Sequence, residues 1–514
     1  MLSNPYTKAS IFATLALLGG LGTVYASAPT FAVVAAVFIM GLWLLIRGAR
    51  PSGENAVKRV AQSVRTSPAD VLVPAFLLCW WVARIAPLAF YSPLEVGSGA
   101  ADAAAAGSLR NQALIASFGL VGMFFLPAAM RRIGRTFWWV FALWAVYLCW
   151  GYTSLFWSVY PPLTMRNLIA YVLITAGCFG LGAGFYATRP NGANLFFKHL
   201  IVAGILSALV VLIPLPFHWS EFNPLDPGQR VEIGGNFAAA ASRPAMLALV
   251  TLVATSMLGF RNWRTLDWVG ILVLVLPVLV LKTRGPVLWT ALTLAIVYVL
   301  CRSRAGDRAL QAGLTVCLGL GAYVLYHSSF MKTLIAYMTR DNVELSMSLT
   351  GRAPLWDALL PMIQQRTLLG WGFAAFWNPE NFSLMERLVG FPVVSAHNGF
   401  LEELLNNGAI GLALFLTFWV STMAFMASRG RRGDPLGWMA FLFMLFYLLL
   451  NLTTSLMQES FEIAFMVVFV TLGLMAVRSE REEPALPPGR WATDGGRTAT
   501  RAEEVTISLR GDRS

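Results

Sequence analysis

The sequence predicts an all-α polytopic membrane protein, and three observations carry that reading. Hydrophobic residues make up 57% of the 514 residues and charged ones only 12%, where soluble domains carry about one-quarter charged residues. Mean hydropathy is +0.64. Basic residues gather in alternate connecting segments, the pattern that the positive-inside rule gives to cytoplasmic loops. At roughly twenty residues per crossing the chain accommodates about fourteen spans.

The apolar run at 10–27 follows Lys8 and ends at Ala26-Ser27-Ala28, which imitates a signal peptide. Pro29 directly after that point and a second run at 29–46 make it a retained span instead. Arg47, Arg50, Lys58, Arg59 and Arg65 then mark an inner loop and place the N-terminus inside. Spans near 70–91 and 111–130 flank an outer loop with Glu95 and Asp102, and Arg131, Arg132 and Arg135 return the chain inside. Spans near 136–157 and 168–187 lead to Arg189 and Lys198; those near 199–215 and 245–260 lead to Arg261 and Arg264. Spans near 266–281 and 286–301 are joined outside by Lys282-Thr283-Arg284-Gly285. The span near 309–326 opens into a long outer segment, 406–427 returns to Arg429, Arg431 and Arg432, and spans near 436–453 and 462–477 leave the tail inside.

This parity accounts for most of the net charge of +12 as a topology signal, with some attraction to the anionic lipid bilayer, and nucleic acid is not an expected partner. Cys79, Cys149, Cys178, Cys301 and Cys317 all fall in apolar runs at no metal-ligand or redox spacing and read as small buried hydrophobes. No cofactor or metal is expected. The divisions are an N-terminal two-span extension with its basic loop (1–69), a bundle (70–326), a large outer loop (327–405), the last spans (406–478) and a tail (479–514) too polar to fold.

The one long polar interruption runs from Ser348 in the large loop to Gly411, and irregular backbone at membrane depth is tolerated only where it is buried in protein or lines a cavity. Thr350 or Ser348 can cap a helix bearing Leu355, Trp356, Leu359, Leu360 and Ile363. Gly370 and Gly372 break the chain before Phe373, Phe376 and Trp377, rings suited to a membrane-interface belt. Asn398 stands where it would cap a helix that runs on past Asn407-Gly408. The loop is expected to lie on the mouth of the bundle as a lid.

Thr350-Gly351-Arg352 with Trp356, Leu369-Gly370-Trp371-Gly372, and His397-Asn398 leading into the last spans resemble the large periplasmic loop of the O-antigen ligase and polymerase superfamily. The likeness runs from about Arg243 to the last helix. It implies an inner-membrane, GT-C-like glycosyltransferase with both termini cytoplasmic and a periplasmic site. Its donor would be an undecaprenyl-pyrophosphate-linked glycan, and its acceptor a lipid-linked glycan or lipid A-core. A flippase and a chain-length regulator are the implied protein partners.

Arginines outside the inner loops run against the topology rule. Arg84, Arg243 and Arg284 stand within or beside apolar runs, where a charge costs about 2.5–3.5 kcal/mol at the span centre. A lipid pyrophosphate would supply the anion, and the planar guanidinium fork matches phosphate oxygens. The bland alternative is that such arginines snorkel to headgroups or pair with Asp226, Glu232, Glu459 or Glu462. The resemblance places Arg284, in Thr283-Arg284-Gly285, and Arg352 on the donor pyrophosphate, and His397 as the base that takes the acceptor's proton. Imidazole titrates near neutral pH, which suits that task. Arg243, Arg84, Trp371 and Glu402 are further substrate-side candidates; Glu402 or Glu403 could instead orient the imidazole or act as base.

Motif wording around Leu349-Thr350-Gly351-Arg352 and Phe376-Trp377 is nearer the exopolysaccharide polymerases than the lipid A-core ligases. Polymerisation is therefore expected, with ligation the alternative. A transporter of lipid-linked glycan is the reading from a different class, disfavoured by a histidine in a long outer loop.

Overall fold

A computed structural model of the chain describes residues 73–77, 100–189, 191–212, 237–280, 284–302, 352–390, 393, 395–459 and 461–478. The described residues form helices and turns and no strand. In chain order they are α1 (Ala100–Met130), α2 (Trp138–Thr153), α3 (Pro161–Gly180), α4 (Gly192–Leu212), α5 (Phe237–Met257), α6 (Thr265–Val280), α7 (Arg284–Arg302), α8 (Arg352–Gln365), α9 (Pro379–Val389), α10 (Gly399–Arg431), α11 (Pro435–Asn451) and α12 (Ile463–Arg478). Five helical segments among them are long and apolar enough to cross a membrane, including Pro161–Thr188 and Gly399–Arg431, and further shorter apolar helices stand beside them. The expected spans near 10–27, 29–46 and 309–326 lie outside the described residues, as does most of the one near 70–91.

Several helices begin well before the apolar runs that announce them: α1, α3, α4 and α5 start at Ala100, Pro161, Gly192 and Phe237 rather than near 111, 168, 199 and 245. Their opening stretches carry residues such as Arg110, Arg166, Lys198 and Arg243 that hydropathy discounts, yet the helices continue through them.

In lipid, packing rather than water exclusion holds helices together, so backbones must approach closely at small residues. α1 and α3 do so at Gly122, where a Cβ would stand 2.1 Å from the carbonyl oxygen of Gly177. Leu120, Val146, Leu266 and Leu272 instead point outward and are exposed, as lipid-facing side chains should be. Cys149 belongs to this outer surface, which corrects the expectation that it is buried; Cys178 is buried. In a lipid environment an outward thiol on α2 carries no desolvation cost, so apolar surroundings did not require an inward one.

Successive helices alternate in direction. Arg131, Arg132, Arg135, Arg189, Arg261, Arg264, Arg429, Arg431 and Arg432 thereby share one end of the bundle, where Gly134 N–H bonds Ala476 O. The opposite end collects the 154–160 turn, α8 and α9, the start of α10 and the 452–462 connection. Beneath that end lies an aromatic layer of Trp144, Tyr147, Tyr171 and Phe465, into which Phe373 of the large loop inserts with no exposed surface.

Candidate functional site

The site is built on a break in α10. At Gly408 the backbone leaves helical geometry (φ 68°, ψ −175°), which frees the carbonyls of Leu405 and Asn406 and the amides of Ala409 and Ile410. The segment 367–372 takes up all four. Trp371 N–H donates to Leu405 O (3.0 Å) and Gly372 N–H to Asn406 O (2.8 Å), while Ala409 N–H donates to Thr367 O (2.7 Å) and Ile410 N–H to Leu368 O (3.4 Å). The break therefore leaves no orphaned backbone group, which is the condition for irregular chain inside a membrane bundle.

Two glycines make the exchange possible. Gly370 has φ +70°, and a Cβ there would lie 2.3 Å from Asn406 O; a Cβ on Gly408 would lie 2.2 Å from Leu368 O. Drawn in this way, the following rings do not form an interface belt, which corrects that expectation. Phe373 and Phe376 are fully buried, and Trp377 turns its indole N–H onto Glu402. Trp371 is likewise structural in its contacts: its indole donates to Met362 O, and Arg366 lies over its ring at 4.5 Å while bonding Trp157 O. These contacts dock the described part of the loop onto the bundle, with a small core of its own around Leu355, Leu359, Ile363, Phe376 and Met385.

His397 lies just before α10 with φ +50°, a left-handed conformation that costs a side-chain-bearing residue about 1–2 kcal/mol. Such conformations persist only where the surroundings over-determine them. Here the neighbouring residues are pinned from both sides. Ala396 N–H donates to Glu402 Oε2 (2.7 Å) and Ala396 O accepts from Trp356 Nε1 (2.9 Å). Asn398 N–H donates to Ser455 Oγ (3.1 Å), and the Asn398 side chain caps α10 by accepting from the amides of Phe400 and Leu401.

His397 is half-buried, and burial together with the nearby Arg352 guanidinium lowers its pKa from the usual 6.5. The lowered pKa favours the neutral imidazole, the form able to accept a proton. Arg352 opens α8, is itself partly buried, and is depressed by desolvation while remaining charged, as arginine does. Ion pairs among the described residues join Arg243 to Glu462, Arg261 to Asp267 and Arg429 to Asp434, so none takes Arg352. A half-buried guanidinium with no carboxylate partner among the described residues, near an imidazole, is a place for an anion.

Glu402 is buried, receiving Ala396, Trp377 and the Asn406 amide; it holds the backbone that carries His397. Glu403 is fully buried and accepts from Tyr147 Oη (3.1 Å), Asn407 Nδ2 (2.7 Å) and Gln458 Nε2 (2.9 Å). Arg243 pairs with Glu462 at 3.2 Å, both side chains nearly out of solvent. The backbone at Arg284 begins α7, and the adjoining Gly285 packs against Thr453. Arg84 and the side chain of Arg284 lie outside the described residues.

In the sequence the 452–462 connection shows only Glu459 and Glu462, as possible partners of the outer arginines. It reaches several parts of the site: Thr453 accepts from Trp289 of α7, Ser455 holds Asn398, Gln458 holds Glu403 and Glu462 holds Arg243. No motif marks it, because its work lies in side-chain bonds to distant segments. Among the described residues no group of three His, Cys, Asp or Glu is placed to hold a metal.

Residues 269–416 match the family model described as O-Antigen ligase. The matched stretch runs from α6 to the middle of α10 and contains Arg284, Arg352, Trp371, His397 and Glu402. It ends before the 452–462 connection. The chain is also 24% identical over 391 residues, 70% of its own length and 82% of the relative's, to the exopolysaccharide production protein ExoQ of Rhizobium meliloti (strain 1021). The resemblance seen in the loop motifs thus extends over most of the chain, and it supports a multi-pass membrane enzyme of the O-antigen ligase or polymerase type, glycosyltransferase-like in its chemistry.

Proposed function

We propose that this chain polymerises undecaprenyl-pyrophosphate-linked oligosaccharide repeats on the periplasmic face of the bacterial inner membrane. One observation carries the chemistry: a conformationally locked His397 with the Arg352 guanidinium nearby, which no ion pair among the described residues takes. The acceptor hydroxyl gives its proton to the imidazole as its oxygen attacks the anomeric carbon of the donor. The bond from that carbon to the pyrophosphate oxygen breaks, and the electron pair leaves with undecaprenyl pyrophosphate. Arg352, with Arg284 at the start of α7, binds that charge as it develops. Displacement from the opposite face inverts the anomeric centre, and the activated leaving group needs no divalent cation. Arg243, neutralised by Glu462, serves the frame of the site rather than the pyrophosphate.

Polymerisation is preferred because the curated relative is an exopolysaccharide production protein. The matching family description favours the second reading, ligation to lipid A-core. A deletion strain complemented with wild type or His397→Ala separates them when lipid-linked glycans and surface polymer are sized together. Single repeats accumulating on the carrier with His397→Ala mean polymerase. Long chains stalled on the carrier mean ligase.

A further inference from the structure

Ser455 occupies a position that the family match does not reach. Its Oγ accepts the N–H of Asn398, on one side of His397, while the Glu402 carboxylate accepts the N–H of Ala396 on the other. The residues flanking the left-handed histidine are thus held from two segments, Ala396 by α10 and Asn398 by one buried hydroxyl, 6% exposed. We propose that Ser455 is a positioning residue for His397, and that the 453–458 loop is the brace that keeps the imidazole beside Arg352.

The brace is itself fixed at each step. Leu456 N–H donates to Asn451 Oδ1 (2.9 Å), Leu456 O accepts from Tyr447 Oη (3.0 Å), and Met457 O accepts from Tyr171 Oη. Gln458 Nε2 reaches Glu403, so the loop is bonded to α10 a second time. At its start Thr453 Oγ1 accepts from Trp289 Nε1 (2.9 Å), tying α7, which begins at Arg284, to the same short segment. A hydroxyl suits this place because its oxygen accepts the Asn398 backbone amide, which alanine cannot do and cysteine does only weakly. Among the described residues, Arg352 from α8 is the charge that bears on the titration of His397, and the Glu402 carboxylate from α10 holds the neighbouring Ala396 amide; substituting Ser455 alters neither charge.

This inference rests on the reading of His397 as base, and the test separates the two. Full-length protein is purified in wild-type, Ser455→Ala, Ser455→Thr and His397→Ala forms. Each is given undecaprenyl-pyrophosphate-linked repeats extracted from the deletion strain. With only four histidines in the chain, selective imidazole 15N labelling follows the His397 pKa directly, its signal identified by its loss in His397→Ala. Ser455→Ala is expected to lower kcat about tenfold with KM little changed, and to move the His397 pKa up toward the ordinary histidine value; Ser455→Thr restores both. A Ser455→Ala protein with wild-type kcat and wild-type His397 pKa overturns the brace, while leaving the base intact if His397→Ala is inactive. Active His397→Ala overturns the base instead. Should Ser455→Ala melt below the assay temperature, Ser455→Thr decides: its pKa must coincide with the wild type's, and a displaced value contradicts the hydroxyl's role.

Discussion

Glu402 accepts the amide hydrogen of Ala396 through one carboxylate oxygen and the indole of Trp377 through the other. A buried side chain with both oxygens occupied by donors has no amide equivalent, because glutamine presents a donor where an acceptor is needed. Glu402→Gln therefore leaves one N–H buried and unpaired, at a cost of about 1–3 kcal/mol. The expected result is a lower melting temperature in detergent together with reduced turnover, since the displaced backbone carries His397. An unchanged melting temperature and turnover would refute the assignment.

His397 titrates below the ordinary 6.5 because it is desolvated and faces Arg352. The sign is that of a depressed base: the neutral form survives to lower pH, and the stability tied to it, present above about 6.5, is lost as pH falls through the folded value. The acid limb of the rate profile should lie below 6.5. Arg352→Ala should raise the imidazole pKa measured by NMR, only in part, because burial is the larger cause. A pKa that falls or holds in Arg352→Ala contradicts the juxtaposition.

Arg243 and Glu462 stabilise each other inside the bundle, each keeping one polar atom without a hydrogen bond. Removing the cation alone strands a buried carboxylate and costs about 3–5 kcal/mol. Arg243→Met should melt well below wild type, and Arg243→Met with Glu462→Leu should recover most of the loss while retaining turnover. If the double variant is stable but inactive, Arg243 does belong on the pyrophosphate.

The exchange of hydrogen bonds between 367–372 and the α10 break predicts that Gly370→Ala and Gly408→Ala loosen the docked loop. Each adds a Cβ against backbone oxygen and holds alanine at positive φ, about 1–2 kcal/mol before any clash. Limited proteolysis should open the 366–390 segment in both variants. Wild-type cleavage kinetics would show that the break does not hold the loop.

Much of this was legible beforehand. Apolar runs located α2, α6, α7, α11 and α12 to within a few residues, because a helix in lipid must satisfy its backbone internally and advertises itself by composition alone. Asn398 as a cap and Gly370 and Gly372 as breakers were readable because their roles are local. The inward turn of Phe373 and Phe376 was hidden, since it depends on carbonyls released at Gly408, far along the chain. Ser455 and Gln458 were hidden for the same reason: their partners stand 57 and 55 residues away. The Arg243 to Glu462 pair was one of several open options until packing selected it.

The most direct test of the account is single-turnover transfer by purified full-length protein, reading undecaprenyl pyrophosphate released from lipid-linked repeats in wild-type and His397→Ala forms. Loss of the base should slow release by about 10²–10⁴-fold with donor binding preserved. Release at the wild-type rate by correctly folded His397→Ala would contradict the assignment of His397 as the catalytic base.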